Sequence, residues 1–183
     1  MTEDNKVTEL LFIPACLIMG ILSSQKELDE TLIKTLTDNF GPFDVLADPV
    51  IFDFTDYYEK EMGFPIWRMF LVFENLVPPE NLAKYKLLTI EIEERFKVDS
   101  KRKVNLDPGL LTTANIILAT TKNRSHRIPL EKGIYGELTL LYTKGCYQEF
   151  EWTYPDYKSA KFKALFEKLR SKYLKQLKEK NLI

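Results

Sequence analysis

The chain has 183 residues, of which 45% are hydrophobic and 13% are aromatic. This composition excludes a disordered chain and is typical of a folded protein that can bury a core. The formal net charge is −1, which excludes binding of nucleic acid through the overall charge of the molecule and argues against a nucleic-acid partner.

The first apolar stretch, residues 10–22, predicts neither a membrane span nor a signal peptide. No apolar run reaches the roughly 18 residues that a bilayer requires. The stretch follows acidic residues and is interrupted by Pro14, unlike a signal peptide. Cys16 and Cys146 lie in apolar runs without metal-ligand spacing and are interpreted as reduced core residues. We therefore predict a cytoplasmic protein without a membrane partner, consisting of a mixed leader at residues 1–12 and a single domain at residues 13–183.

A strand and a helix come first in this domain. Residues 15–23 form a continuous apolar run, which indicates a strand buried on both faces. Ser24 is the expected N-cap of the helix that follows, and Gly41 is its expected C-terminal stop. Strand segments are predicted at residues 43–46 and 50–54.

A strand with a single charge and a second helix follow. Residues 66–73 alternate in the manner of a strand, with Arg68 as the lone charged residue. Pro78, Pro79 and Glu80 open the second helix, because proline and an acidic residue suit a first helical turn. A short strand then leads to Asp107-Pro108-Gly109, which is a turn signal.

The remaining sequence extends this pattern. Residues 110–121 are compatible with a helix or with a strand pair. Turn signals at Lys132-Gly133 and Lys144-Gly145 predict a three-stranded meander from residue 128 onward, and a last helix begins near Ser159. The predicted fold is therefore α+β: a ferredoxin-like βαββαβ core with an added antiparallel β-meander and a C-terminal helix. Many unrelated functions use such a core.

A polar and aromatic run at residues 52–63 is the first candidate site. In an extended segment Asp53, Thr55 and Tyr57 would share one face, a spacing suited to a cation, a sugar or a phosphate. Tyr58 and Glu61 complete the group of candidate residues. The alternative is structural, with Asp53, Thr55 or Asp56 capping a short helical turn at residues 57–62.

A second candidate site surrounds Asp107. Its carboxylate could serve a site at the end of a strand, or it could occupy the first position of a β-turn. Asn105 belongs with it, because an amide in a short buried strand must find hydrogen-bond partners.

A third candidate is basic. Lys122, Arg124, His126 and Arg127 place four potential cations beside hydroxyl groups, which suits recognition of phosphate or carboxylate. His126 is the only histidine, so a zinc site of several histidines is excluded, although a single histidine can act as a general acid or base. The alternative is a solvated basic loop. The basic face of the C-terminal helix is likewise interpreted as solvated.

Three common nucleotide and catalytic motifs are missing. The sequence has no P-loop, no dinucleotide fingerprint after a strand and no nucleophile elbow. No cofactor is therefore assigned, and a divalent cation held by carboxylates is the one candidate that the residues leave open.

Four strings carry a resemblance to a known family: FDFTDYYEKEMG at 52–63, VNLDPG at 104–109, ATTKNRSHR at 119–127 and WTYPDY at 152–157. Their order and length resemble the bacterial domain-of-unknown-function 4416 family over residues 15–169. The resemblance implies a bacterial, cytoplasmic, single-domain protein and brings no established activity.

We predict that the distant strings converge on one pocket that binds a small anionic, phosphorylated ligand and acts on it. The residues expected to hold the ligand are Arg68, Lys122, Arg124 and Arg127. His126 and one of Asp53, Asp107 or Glu61 would transfer protons or hold a divalent cation. The alternative is a non-catalytic module for protein or RNA interaction, in which the polar residues pair internally.

Overall fold

One antiparallel sheet of nine strands organises the computed structural model, which describes residues 12–55 and 57–183. The strands are β1 (Ala15–Ser23), β2 (Phe43–Val45), β3 (Val50–Ile51), β4 (Trp67–Val77), β5 (Val104–Leu111), β6 (Asn115–Thr120), β7 (Arg127–Pro129), β8 (Tyr135–Thr143) and β9 (Cys146–Glu149). The helices are α1 (Glu30–Phe40), α2 (Glu59–Met62), α3 (Leu82–Arg95), α4 (Pro155–Lys158) and α5 (Ala160–Glu179). Apart from Phe12, the predicted leader lies outside the described residues.

The strand order is β2-β4-β1-β5-β6-β8-β7, with β3 also paired to β4 and β9 also paired to β8. Every pair is antiparallel. Separate helices and an antiparallel sheet confirm the α+β class. No helix in the described part of the chain is long and apolar enough to cross a membrane.

Strand β1 is buried along its whole length, as its uninterrupted apolar run predicts. Its side chains alternate between the two faces of the sheet. Leu17, Met19 and Ile21 pack in one cluster with the apolar faces of α1 and α3. Cys16 and Ile18 pack in a second cluster with α5. The sheet is therefore the middle of three layers.

The start of α1 corrects one prediction. Its N-cap is Asp29, whose Oδ1 accepts hydrogen bonds from the backbone N–H groups of Thr31 and Leu32. Ser24 instead donates its backbone N–H to the carbonyl of Lys103 and extends the sheet. Gly41 ends the helix at φ 91°, as predicted.

The turn predicted at Asp107-Pro108-Gly109 is wrong, because β5 continues straight through these residues. Pro108 lies opposite Met19 of β1. A Cβ on Gly109 would lie 2.5 Å from Leu118 Cδ2 and 2.9 Å from the carbonyl oxygen of Ile117. Glycine is therefore required here by the close approach of β6 rather than by a turn.

The later elements follow the β alternative for residues 110–121. These residues form the end of β5 and the strand β6, so the helical alternative is wrong. Lys144 and Gly145 connect β8 to β9 with φ values of 52° and 83°, which suit a tight hairpin turn. The helix α5 begins next to Ser159, as predicted, and Ser159 caps it by accepting from the N–H of Phe162.

A fork opens between β5 and β6, and we use this name for the gap beyond their last paired residues. The two strands pair only at Gly109–Leu111, and β5 then continues beside β1 while β6 continues beside β8. Inside the fork, the N–H of Leu106 donates to Glu93 Oε1 at 2.7 Å and its carbonyl accepts from Lys86 Nζ at 2.7 Å. Two side chains of α3 thus make the hydrogen bonds that a neighbouring strand would otherwise make, because buried backbone groups require partners.

Candidate functional site

A cavity of about 700 Å³ occupies the fork. Its walls come from the fork edges of β5 and β6, from α3 and β8, and from the segments 52–58 and 154–157. Its polar lining includes Thr55, Tyr57, Tyr58, Arg68, Lys86, Glu93, Glu94, Arg102, Asn105, Asp107, Thr120, Thr121, Lys122, Glu137, Tyr154, Asp156 and Tyr157.

The three candidate groups from the sequence meet at this cavity. Seven of the expected residues line it: Thr55, Tyr57, Tyr58, Arg68, Asn105, Asp107 and Lys122. Three others lie behind its wall, where Glu61 contacts Arg102 while His126 and Arg127 contact Glu137. Asp53 and Arg124 are exposed and do not line the cavity.

The strand predicted at residues 50–54 is shorter than expected, because β3 ends at Ile51 and residues 52–55 do not continue it. The hydroxyl of Thr55 accepts from the N–H of Tyr57 at 3.1 Å, which makes a local turn. The helix α2 follows without a side-chain cap. Of the predicted caps, Asp53 makes no such bond in the described part of the chain, and Asp56 lies outside it.

One cavity wall carries a closed ring of charged and amide groups. Lys86 Nζ lies 3.2 Å from Asp107 Oδ1 and 3.8 Å from Glu93 Oε1. Arg102 Nη1 donates to Glu93 Oε2 at 3.3 Å and to Asn105 Oδ1 at 2.9 Å. Asn105 Nδ2 closes the ring by donating to Asp107 Oδ2 at 2.7 Å. The ring therefore fixes the position of each carboxylate at the fork.

The ring pushes the pKa values of its two carboxyl groups apart. Burial raises the pKa of Glu93, and Lys86 and the N–H of Leu106 offset this only in part. Burial would also raise the pKa of Asp107, but Lys86 and Arg68 outweigh it and lower the pKa. The Asp107 side chain is 30% exposed, and its short contacts to Lys86 and Asn105 favour the ionised carboxylate.

A second polar cluster surrounds Glu137 on β8. Its Oε2 accepts from Arg127 Nε at 2.6 Å and lies 3.1 Å from His126 Nε2. The His126 ring stacks on Trp152 at a centroid distance of 4.7 Å and an angle of 10°. Arg127 Nη2 also donates to the hydroxyl of Tyr154 at 3.2 Å. His126 is therefore held beside the cavity rather than within it.

A third cluster surrounds Arg68 on β4. Arg68 is 5% exposed, and its Nε lies 2.7 Å from Asp156 Oδ2, an ion pair whose N–H is too poorly aligned for a hydrogen bond. The guanidinium lies over the rings of Phe52 and Phe70 at 5.1 and 5.4 Å. Burial would lower the pKa of Arg68, but Asp156 and its other neighbours outweigh it and raise the pKa. Arg68 is therefore a fixed cation.

Gly20 makes room for this cluster. A Cβ at Gly20 would lie 3.0 Å from both Arg68 Nη1 and the hydroxyl oxygen of Tyr157. The two groups therefore converge over the middle of β1, where any larger residue would displace one of them.

Several polar atoms of the cavity lining are buried without a partner. Among residues 12–55 and 57–183, no hydrogen bond reaches Arg68 Nη1, Glu137 Oε1 or the hydroxyl of Tyr157. Their residues are at most 5% exposed. A buried polar group without a partner is costly, and such groups in a native structure call for an explanation.

Sequence reasoning missed much of the lining. Lys86 and Glu93 lie on the buried face of α3 with Thr89 between them, so a polar column at helical spacing was the available signal. Arg102 and Asp156 are charged residues that no local pattern of the sequence singles out. Glu137 had no signal beyond being the one charge in a strand.

The lining carries both signs of charge, and most of its charged groups pair with one another. Within the described residues, no group of three or more histidine, cysteine, aspartate or glutamate side chains could hold a metal ion.

The comparisons with known proteins give one match. A family model described as a domain of unknown function, DUF4416, matches residues 13–173. Neither the curated proteins nor the solved structures include a significant match.

Proposed function

The chain belongs to the DUF4416 family, and from this premise we propose that it binds a small anionic ligand in the cavity at the fork. The observation that carries the proposal is Arg68. Its guanidinium is a buried cation in the cavity wall, and its Nη1 has no hydrogen-bond partner in the described parts of the chain.

The surroundings of Arg68 suit an anion. A guanidinium stays protonated and offers five donors in a planar fork, which matches carboxylate and phosphate groups. Asp156 compensates the charge through Nε and leaves Nη1 without a hydrogen bond. Phe52 and Phe70 hold the plane of the group. The orientation needed for binding is thus set before a ligand arrives, which lowers the entropic cost of binding.

A second cation marks the outer part of the cavity. Lys122 is exposed, and its Nζ lies 4.6 Å from the centre of the Tyr57 ring. It can attract an anion toward the cavity, which supports a phosphorylated ligand as the first choice. Arg124 and Arg127 drop out of the binding set that we propose, since Arg127 is engaged by Glu137 and Arg124 lies apart.

We also propose a fold family, a cellular location and a residue for a chemical step. The order β2-β4-β1-β5, with α1 and α3 on the same face, supports a ferredoxin-like core. The family resemblance supports a bacterial, cytoplasmic, single-domain protein. A chemical step on the ligand would fall to Asp107, which lines the cavity, rather than to His126.

The test measures anion binding to the purified protein by thermal shift and by calorimetry. The probes are inorganic phosphate, citrate, ribose 5-phosphate and nucleoside monophosphates. A ligand that binds the folded state raises the melting temperature. The variant Arg68→Lys keeps the charge but loses the planar fork, so we expect an affinity loss of about tenfold or more. Arg124→Ala, the matched control outside the cavity, should bind like the wild type. If no anion binds, or if Arg68→Lys binds equally well, the proposal is wrong.

A second function has one observation in its favour. Most polar residues of the site pair internally, as Arg127 does with Glu137 and Lys86 with Asp107. Aromatic side chains near the cavity, Phe54 and Tyr57, are 48% and 60% exposed. These features suit a module that binds a protein or RNA partner. This second function would be favoured if no small anion binds and if short RNA or a captured protein raises the melting temperature.

A further inference from the structure

The unpartnered atoms of the cavity are of two opposite kinds. Arg68 Nη1 can only donate a hydrogen bond, whereas Glu137 Oε1 can only accept one while the carboxylate is ionised. Neither atom has a partner in residues 12–55 and 57–183, and both residues line the same cavity. An anion alone satisfies the first atom and leaves the second unpaired.

Glu137 is held so that one oxygen remains available. Its other oxygen, Oε2, is engaged by Arg127 and His126. Arg127 is itself held by the carbonyl of Lys122 and the hydroxyl of Tyr154. The Glu137 side chain is 1% exposed, so a hydrogen bond to Oε1 would form away from bulk solvent, where it discriminates strongly between ligands.

The two atoms lie far enough apart to need an elongated ligand. The Arg68 guanidinium reaches Gly20 on β1, and β5 and β6 separate β1 from the strand of Glu137. Two paired strand spacings and the wider fork between β5 and β6 amount to about 14 Å or more of sheet. A hydrogen bond of about 2.9 Å at each end then leaves roughly 10 Å for the ligand to span. Tyr154 bridges the ends, because its ring lies 6.5 Å from Tyr157 and its hydroxyl contacts Arg127.

We infer that the ligand carries, besides the anionic group at Arg68, an amine or hydroxyl donor roughly 10 Å away that Glu137 accepts. This inference rests on the proposed function and narrows its ligand class. A lone phosphate is too short. A nucleoside monophosphate with an exocyclic amine, or a long ω-amino acid, has both groups at a suitable separation, and each fits within a cavity of about 700 Å³.

Two pairs of probes test the inference by calorimetry or ligand-observed NMR. Cytidine 5′-monophosphate is compared with uridine 5′-monophosphate, which has an acceptor in place of the amine. The acid 6-aminohexanoate is compared with hexanoate, which lacks the amine. We expect the donor-bearing member of at least one pair to bind about tenfold more tightly, because a site that pairs with a donor rejects an analogue without it. The pair of probes that shows this preference tells whether the ligand is a nucleotide or an aliphatic amino acid.

Glu137→Gln is the decisive variant. With the amide oxygen kept on Arg127 and His126, its NH₂ group would replace Oε1, so the preference should vanish or invert toward uridine 5′-monophosphate. Glu137→Asp keeps the charge and retracts the carboxylate, and should weaken the preference even if the Gln variant fails to fold.

The outcomes separate the two claims. Equal binding within both pairs, or an unchanged preference in a folded Glu137→Gln or Glu137→Asp variant, overturns the inference. Phosphate binding that depends on Arg68, without any gain from a donor-bearing probe, also overturns it and leaves the proposed function standing. Failure of every anion to bind overturns both.

Discussion

At the scale of single residues, a buried polar group without a hydrogen bond at the cavity lowers the stability of the fold. The hydroxyl of Tyr157 is buried and has no partner in the part of the chain that the structure describes. The ring itself is well packed, 5.0 Å from Phe70 and 5.6 Å from Phe166. Packing thus accounts for the position of the ring but not for the unpartnered hydroxyl, which the proposed ligand would contact.

The first prediction concerns Tyr157→Phe. Removing an unpartnered buried hydroxyl removes its desolvation cost, so the free energy of unfolding should stay equal or rise by about 1–3 kcal/mol. Binding of anions should weaken at the same time. Urea unfolding and calorimetry measure the two effects.

Tyr147→Phe is the matched control. The hydroxyl of Tyr147 is also buried without a partner within residues 12–55 and 57–183, but the residue does not line the cavity. It should match Tyr157→Phe in stability and keep wild-type binding. Equal binding losses in both variants would remove the special role of Tyr157.

Secondary-structure elements show where local signals mislead. The turn signal at Asp107-Pro108-Gly109 is overridden because each residue has a tertiary reason to lie in a strand. Asp107 is held by Lys86, Pro108 faces Met19, and Gly109 admits β6. None of these reasons is visible in a local window of sequence.

The second prediction follows from the approach of β6 to β5. Gly109→Ala should lower the free energy of unfolding by about 1–3 kcal/mol, because a Cβ would overlap Leu118 and the Ile117 carbonyl. Gly136→Ala in β8 is the control, since its nearest neighbours would lie 3.6 Å from the new Cβ. Thermal or urea unfolding distinguishes the two, and equal costs would contradict the assigned reason.

The third prediction concerns the polar column on α3. Lys86→Met removes the buried ammonium that pairs with Asp107 and Glu93 and donates to the carbonyl of Leu106, so it should cost about 3–5 kcal/mol. Lys84→Met, on the exposed face of the same helix, should stay within about 0.5 kcal/mol of the wild type. A similar small effect for Lys86→Met would show that α3 does not support the fork.

The molecule as a whole should respond to acid through the same residues. The pKa of Asp107 lies below its ordinary value of 3.8 in the folded protein, because Lys86 and Arg68 outweigh the effect of burial. A lowered folded pKa contributes stability above pH 3.8, and this is lost as the pH falls through the folded value. Glu93 acts in the opposite direction, since its pKa is raised above 4.5.

The fourth prediction therefore concerns the slope of the free energy of unfolding against pH. In Asp107→Asn, the free energy of unfolding should decline less steeply below pH 3.8 than in the wild type. Unfolding curves at several acidic pH values give the slopes, and identical slopes for the variant and the wild type would contradict the role of Asp107.

The sequence predicts the parts of this molecule that depend on local pattern. Uniform burial of β1, the Gly41 stop and the start of α5 near Ser159 all follow from neighbouring residues. The sequence predicts only part of the site, because its ion pairs join residues far apart in the chain, such as Arg68 with Asp156 and Lys86 with Asp107. Which acid meets which base is decided by the strand order and by the fork.

The fork has a consequence for the fate of the chain outside its folded state. Its inner edge is a stretch of β5 whose backbone groups bond to α3 instead of to a strand. An uncovered strand edge is a template for pairing with another chain. If α3 detaches, through mutation or transient opening, this edge is free to recruit a second copy. The opening in which we propose that a ligand binds is thus also the place where self-association would begin, and a ligand that holds α3 in place would suppress it.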